Sequence, residues 1–94
     1  MITYLKGSVG TIAERSITLI VNQSIGYEVF TCNEWNLERD VEVFIYHHFS
    51  SDSQILFGFK TANEKALFLK LISLSKIGPK TALNILSLGI SEVI

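Results

Sequence analysis

The sequence predicts a mainly β protein with C-terminal helices, in which an antiparallel barrel precedes a pair of short helices. The first part of the chain, about sixty residues, contains short runs of β-branched and aromatic residues separated by turns. Helical signals begin only after residue 60, which leaves no room for the crossover helices of a parallel sheet. A hydrophobic content of 48%, with only 18% charged residues, predicts a packed core.

The predicted strands occupy residues 2–5, 8–13, 17–21, 26–30, 41–49 and 54–59. Gly7 separates the first two of them, and residues 33–37 form a polar segment that could hold one helical turn. Five or six short strands in so short a segment favour a closed antiparallel barrel over two separate sheets. An OB-fold barrel has this size.

Thr61 and Glu64 have the spacing of a capping box, in which the threonine oxygen accepts from the Glu64 amide and the carboxylate reaches back to the Thr61 amide. The helix that begins there runs to about Leu74. It is apolar on more than one face, so another element or another subunit must cover it.

Pro79 at a first helical position and Gly89 bracket a second helix. Residues 91–94 look like the opening of a third helix that is not completed. We therefore expect the chain to be a fragment of a longer protein.

Charge is unevenly distributed along the chain. Residues 1–59 contain three basic and seven acidic residues, for a net charge of −4, whereas residues 60–94 contain five and two, for +3. This asymmetry suggests an anionic partner for the C-terminal part, although a solvated helix surface gives the same pattern.

The composition also excludes several classes of protein. No apolar run approaches the roughly 18 to 20 residues of a membrane-spanning helix, and the N-terminus lacks the features of a signal peptide, which predicts a soluble, cytoplasmic protein with no membrane partner. The single Cys32 cannot form an internal disulfide, and a lone thiol at a strand end is most often a small buried hydrophobe.

His47 and His48 are adjacent on a predicted strand and therefore point to opposite faces, so the pair cannot chelate one ion through the strand alone. A nuclease that uses these histidines with Asp52 would require metal-dependent cleavage. The aromatic residues of the strands could stack bases, but at alternating positions they more often form a core. We expect no catalytic, cofactor-binding or metal-binding residues, no cofactor, and no enzymatic activity.

Residues 71–82 combine an apolar helix, a tight turn ending in Ile77-Gly78, and a second helix that starts with proline and carries lysine in its first turn. This arrangement is typical of a helix-hairpin-helix. Ile77 can fill the space between the helices, while Gly78 supplies a backbone conformation or close approach that a side chain would obstruct. The alternative is an ordinary helical hairpin with a Gly-Pro corner.

Unpaired amides around the start of the second helix can hold a phosphate oxygen, and lysine adds salt-sensitive attraction that does not depend on base sequence. The predicted DNA-binding residues are Ser75, Lys76, Ile77, Gly78, Lys80 and Thr81.

Together these motifs resemble the N-terminal portion of the RuvA family, bacterial subunits that bind Holliday junctions and work with the RuvB branch-migration motor. The resemblance covers essentially the whole chain. The matching residues include Gly26-Tyr27-Glu28-Val29, Leu56-Phe57-Gly58-Phe59 and Ile77-Gly78-Pro79-Lys80. Each motif alone is weak, but the barrel, Leu-Phe-Gly-Phe and the hairpin are specific in this order and spacing.

The resemblance implies an OB-fold barrel over residues 1–62, for tetramerisation and the junction centre, and the start of a helical domain over residues 63–94. It implies four-way junction DNA as the ligand, a homotetramer or an octamer on DNA, and RuvB and RuvC as partners of the full-length protein. The expected setting is recombination, DNA repair and the SOS response. The ATPase belongs to RuvB, and a second hairpin and a RuvB-binding module are expected beyond residue 94.

Two stretches differ from the family pattern. Family members usually carry Arg-Glu-Asp in the turn where this chain has Ser50-Ser51-Asp52, so only Asp52 remains of an acidic pin at the tetramer centre. Lys76 replaces the first glycine of the hairpin. The resemblance therefore implies altered control of branch migration. A different class of function, an assembly module with a purely structural hairpin, remains the alternative.

Overall fold

The computed structural model describes residues 1–75 and 77–88. Five strands are followed by two helices. Their bounds are β1 Tyr4–Ile12, β2 Ser16–Val21, β3 Ile25–Thr31, β4 Val41–Phe49, β5 Gln54–Phe59, α1 Ala62–Ser75 and α2 Pro79–Ser87. The predicted third helix at residues 91–94, like Gly89, lies outside the described residues. Neither described helix is long and apolar enough to cross a membrane.

The strands close into a barrel in the order β1-β2-β3-β5-β4, which confirms the predicted fold class of an OB-fold barrel followed by a helix-hairpin-helix. The prediction of a wholly antiparallel barrel was wrong at one seam, because β3 and β5 are parallel, with Val29 opposite Leu56. A closed ring with an odd number of strands cannot alternate direction at every neighbour. One parallel pair is therefore a consequence of closing five strands.

The first strand is continuous through Gly7, where the sequence predicted a break between two strands. A Cβ at Gly7 would collide with the carbonyl oxygen of Ile20 on β2. Gly7 thus permits close packing of two backbones, and the register shifts at a bulge between Val9 and Thr11.

Every second residue along the strands points into the barrel interior, as expected for the two-residue period of a β-strand. The fully buried ones include Leu19, Val29, Val43 and Ile45. Gly58 completes this packing, since a Cβ there would collide with the side chains of Val29 and Val43.

The segment between β3 and β4 contains no helical turn at residues 33–37, contrary to the sequence-based expectation. Trp35 instead turns into the barrel core, and its indole N–H donates a hydrogen bond of 3.1 Å to Oγ1 of Thr31. Burying this large ring against the core outweighs the few backbone hydrogen bonds of a single isolated turn.

The capping box at the start of α1 is confirmed, since the Glu64 amide donates to Thr61 Oγ1 at 3.1 Å. The return contact differs from the prediction. Glu64 Oε1 accepts from the Thr61 hydroxyl at 3.0 Å, and Oε2 accepts from the side-chain amide of Asn33 at 2.6 Å. The cap therefore also ties α1 to the loop after β3.

A second hydrophobic cluster joins β5 to both helices. Its buried members are Phe57, Phe59, Phe68, Ala82, Leu83 and Leu86. Phe68 of α1 lies at its centre, with its ring centroid 4.9 Å from that of Phe59 and 5.5 Å from that of Phe57. The barrel thus covers one face of α1, whereas Leu74 remains 71% exposed.

Candidate nucleic-acid interface

The second helix begins with amides that lack intrahelical partners. Gly78 is its N-cap residue, no side chain caps the helix, and the first helical bond runs from the Ala82 amide to the Gly78 carbonyl at 3.0 Å. Pro79 has no N–H, so the amides of Lys80 and Thr81 are free to bind an external acceptor. The helix dipole adds a partial positive charge at the same place.

The reason for glycine at position 78 differs in part from the prediction. Its φ of −74° and ψ of 162° are open to other residues, and nothing lies within 4 Å of the position a Cβ would take. Gly78 is thus not required by a special backbone conformation. The open space leaves the exposed backbone accessible to a ligand.

Lys80 does not extend freely from the helix. Its Nζ lies 5.7 Å from the centroid of the Phe30 ring on β3, a cation–π contact that holds the ammonium beside the start of α2. Thr81 is exposed, and Ile77 packs against the cluster shared by the two helices, as predicted for the residue between them. Ser75 is the last residue of α1, and Lys76 lies outside the described residues.

Asp52 is exposed on the turn that joins β4 to β5. Ser50 and Ser53 close this turn, through a backbone hydrogen bond of 2.9 Å and a contact of 2.8 Å between their hydroxyls. The turn thus projects one carboxylate between short neutral side chains.

The structure brings the start of α2 to the end of the barrel where this turn lies. A cleft of about 280 Å³ separates the helix start from strands β4 and β5, lined on the helix side by Gly78, Pro79, Lys80 and Thr81 and on the barrel side by His48, Ile55 and Phe57. His48 pairs with Ile55 on the β4–β5 hairpin, one pair before the strand ends at Phe49 and Gln54. The basic helix start and the hairpin whose turn carries Asp52 therefore border the same cleft.

The two histidines face opposite sides of β4, as predicted. His47 is buried, where Nδ1 accepts from the Ile2 amide at 3.1 Å and Nε2 lies 3.0 Å from Oε1 of Gln54. This pairing fixes the tautomer, with the proton on Nε2. His48 faces the cleft, with Nδ1 3.3 Å from the Tyr46 hydroxyl. Within the described residues, no group of three or more His, Cys, Asp or Glu side chains could hold a metal ion.

No sequence pattern indicates that Arg15 reaches α2. Its guanidinium donates from Nη1 to Oδ1 of Asn84, a residue 69 positions later in the chain. Cys32 lines the same region and is half-buried, and burial, with a smaller contribution from the charge of Glu64, raises the pKa of its thiol.

A match between this sequence and a protein-family model identifies the family. The model described as the RuvA N terminal domain matches residues 1–58. The chain belongs to the RuvA family.

Curated RuvA proteins extend this similarity across both helices. The chain is 43% identical over 93 residues to the Holliday junction branch migration complex subunit RuvA of Listeria monocytogenes serotype 4a (strain HCC23), which covers 95% of this chain and 46% of the relative. The RuvA of Oceanobacillus iheyensis is 44% identical over 91 residues, or 93% of this chain and 45% of the relative. The RuvA of Bacillus velezensis is 43% identical over 91 residues, which covers 95% of this chain and 45% of the relative. The chain thus spans about half the length of these relatives.

Proposed function

We propose that this chain binds four-way junction DNA through backbone phosphates and contributes, within a longer RuvA protein, to branch migration driven by RuvB. The observation that carries the proposal is the uncapped start of α2, which shares a cleft with the end of the hairpin that carries Asp52. The relatives are named as subunits of a Holliday junction branch migration complex, which supports the same ligand.

In this proposal the amides of Lys80 and Thr81 hold a phosphate oxygen and the Lys80 ammonium adds Coulomb attraction. Gly78 is a further candidate for contact with phosphate, and Ser75, Lys76 and Ile77 complete the proposed DNA-binding segment. Asp52 lies toward the crossover, where its carboxylate repels phosphates and keeps them on the α2 side of the cleft. Phosphate recognition of this kind predicts little sequence preference.

We further propose that residues 1–62 assemble the subunits and that residues 63–94 begin the DNA-binding helical domain. Exposed apolar side chains on the barrel support assembly, since Leu37 is 70% exposed and Phe49 at the end of β4 is 49% exposed. The expected assembly is a homotetramer that encloses the junction centre, or an octamer on DNA. No catalytic step is assigned to this chain, and the motor activity belongs to RuvB.

The test is a gel-shift titration of the chain against an immobile four-way junction and a linear duplex of matched length, at two salt concentrations. Its mass in solution is measured in parallel by light scattering. We expect a tetramer that prefers the junction and loses affinity as salt rises, because each neutralised phosphate releases counterions.

Two outcomes contradict the proposal in different ways. A tetramer that binds neither the junction nor the linear duplex would favour the alternative of an assembly module with a purely structural hairpin. Salt-dependent binding without any preference for the junction would limit the function to general duplex binding.

A further inference from the structure

The second helix is attached to the barrel at two places along its length. Near its start, the Lys80 ammonium lies over the Phe30 ring of β3, and the helix start borders a cleft lined by residues of β4 and β5. Farther along, Asn84 accepts a hydrogen bond from the guanidinium of Arg15, which lies on the loop between β1 and β2. The helix therefore lies against the barrel with its phosphate-binding end at the β4–β5 hairpin and its middle at the β1–β2 loop.

Arg15 is well placed to act as a fixed point on the barrel. Its carbonyl accepts the amide of Thr31 on β3 at 3.1 Å, and the loop is closed by a hydrogen bond of 2.8 Å from the Ala13 amide to the Ser16 carbonyl. The backbone of Arg15 thus belongs to the strand network of the barrel. Its side chain extends from this fixed backbone to Asn84 of the helix.

The other contacts of α2 with the barrel and α1 are mostly apolar. Ala82, Leu83 and Leu86 are buried in the shared cluster and set the distance of the helix from its neighbours. Apolar packing is non-directional, whereas a hydrogen bond between a guanidinium and an amide oxygen has a preferred geometry. The contact between Arg15 and Asn84 can therefore fix the tilt of the helix.

We propose that Arg15 is a positioning residue that sets, through Asn84, the tilt of α2 and so the spacing between its free amides and the Asp52 turn. This inference rests on the proposed function. A linear duplex can bind to a single phosphate site in any position along its length. A junction has arms at fixed positions relative to its centre, so the phosphate site and the Asp52 turn must have the matching spacing. A change in this spacing must therefore affect junction binding more than duplex binding.

Arg15 is less suited to contact DNA directly. The cavity of about 280 Å³ that it lines with Asn84 also contains Glu14 and Glu34. The two carboxylates that line this cavity repel a phosphate approaching from that side.

The first test needs no DNA. Residual dipolar couplings of backbone amides, measured for the 94-residue chain, report the orientation of α2 relative to the barrel. We expect Arg15→Ala and Asn84→Ala to change the couplings of α2 while leaving those of the strands alike. Arg39→Ala, which removes the same charge from another loop, is the matched control and should leave both sets unchanged. Unchanged α2 couplings in Arg15→Ala would overturn the proposal, whatever the chain does with DNA.

The second test uses the junction and duplex titrations. We expect either single variant to lower the ratio of junction to duplex affinity by about twofold to fivefold, the size of one solvent-exposed hydrogen bond. The double variant should be no worse than either single one, because both remove the same contact. Asn84→Asp keeps an acceptor for Arg15, so this variant should retain most of the wild-type ratio of junction to duplex affinity.

Equal losses of junction and duplex affinity in Arg15→Ala, with no effect of Asn84→Ala, would instead make Arg15 an ordinary phosphate contact. This result would overturn the positioning role but leave the proposed function intact. Failure of the wild-type chain to bind DNA would refute the proposed function, while the dipolar couplings would still decide whether Arg15 sets the tilt.

Discussion

Lys80 brings a positive charge to the first turn of α2, beside the free amides of Lys80 and Thr81. Its contact with Phe30 limits the volume that the ammonium explores. On the turn between β4 and β5, Asp52 supplies a negative charge among neighbouring serines. In the proposed binding mode, single residues thus supply both the attraction and the repulsion that phosphates meet.

Replacing Lys80 with alanine should weaken binding to junction and duplex alike, because both present the same phosphates. Loss of one phosphate contact predicts that the slope of log affinity against log salt becomes shallower by about 0.9. The measurement is a titration at several salt concentrations. Lys70→Ala, which removes an exposed lysine of α1, is the control. An unchanged slope in Lys80→Ala would remove Lys80 from the site.

Cys32 should react slowly with alkylating agents in the folded chain. Because burial raises the pKa of its thiol, the reactive thiolate is scarcer at about pH 8 than in a free cysteine, whose pKa is about 8.5. The unfolded thiol ionises first as pH rises, so this group lowers the stability of the fold only at alkaline pH. We expect iodoacetamide to react faster in urea than in buffer. Equal rates in urea and in buffer would contradict burial as the cause of the raised thiol pKa.

At the scale of elements, α1 depends on its first turn for a defined start. The Thr61 hydroxyl caps the Glu64 amide, and Glu64 also binds Asn33 of the loop after β3. The same loop is fixed by Trp35 in the barrel core. The capping box is therefore a joint between the barrel and the helical hairpin as well as a local helix signal.

Thr61→Ala should lower the free energy of unfolding by about 1 kcal/mol, as expected for loss of an N-cap side chain. Urea denaturation followed by far-ultraviolet circular dichroism and by Trp35 fluorescence measures this change. Ser73→Ala is the control, since the Ser73 hydroxyl only bonds the Lys70 carbonyl within the same helix. If both variants are equally stable, the capping box does not contribute as the structure indicates.

At the scale of the whole molecule, the acidic turn matters through symmetry. In the proposed tetramer each chain places one Asp52 near the junction centre, so any charge added to the turn is multiplied by the number of subunits. Repulsion between these carboxylates and phosphates is strongest at low salt, where screening is weak.

Ser51→Glu should therefore reduce junction affinity by several-fold at low salt and leave duplex affinity nearly unchanged. Asn36→Asp adds the same charge to the exposed loop between β3 and β4 and serves as the matched control. The gel-shift titration with both DNAs measures the effect. Equal losses on junction and duplex would mean that the turn does not lie near the crossover.

The sequence by itself determined the type and order of nearly all the elements. Strand periodicity, the spacing of Thr61 and Glu64, and Pro79 after Gly78 are local signals, because each depends on residues a few positions apart. These signals were sufficient for the barrel, the hairpin and the resemblance to the RuvA family. They also placed the candidate phosphate site, whose residues lie within one short segment.

The tertiary structure decided what depends on residues far apart in the chain. Closure of five strands required the parallel pairing of β3 and β5, and close packing on Ile20 kept β1 continuous through Gly7. Burial of Trp35 replaced the expected helical turn. The contact between Arg15 and Asn84 left no local pattern at all, because its geometry exists only once the helix has docked on the barrel. Non-local packing energies select among arrangements that local propensities leave equally open.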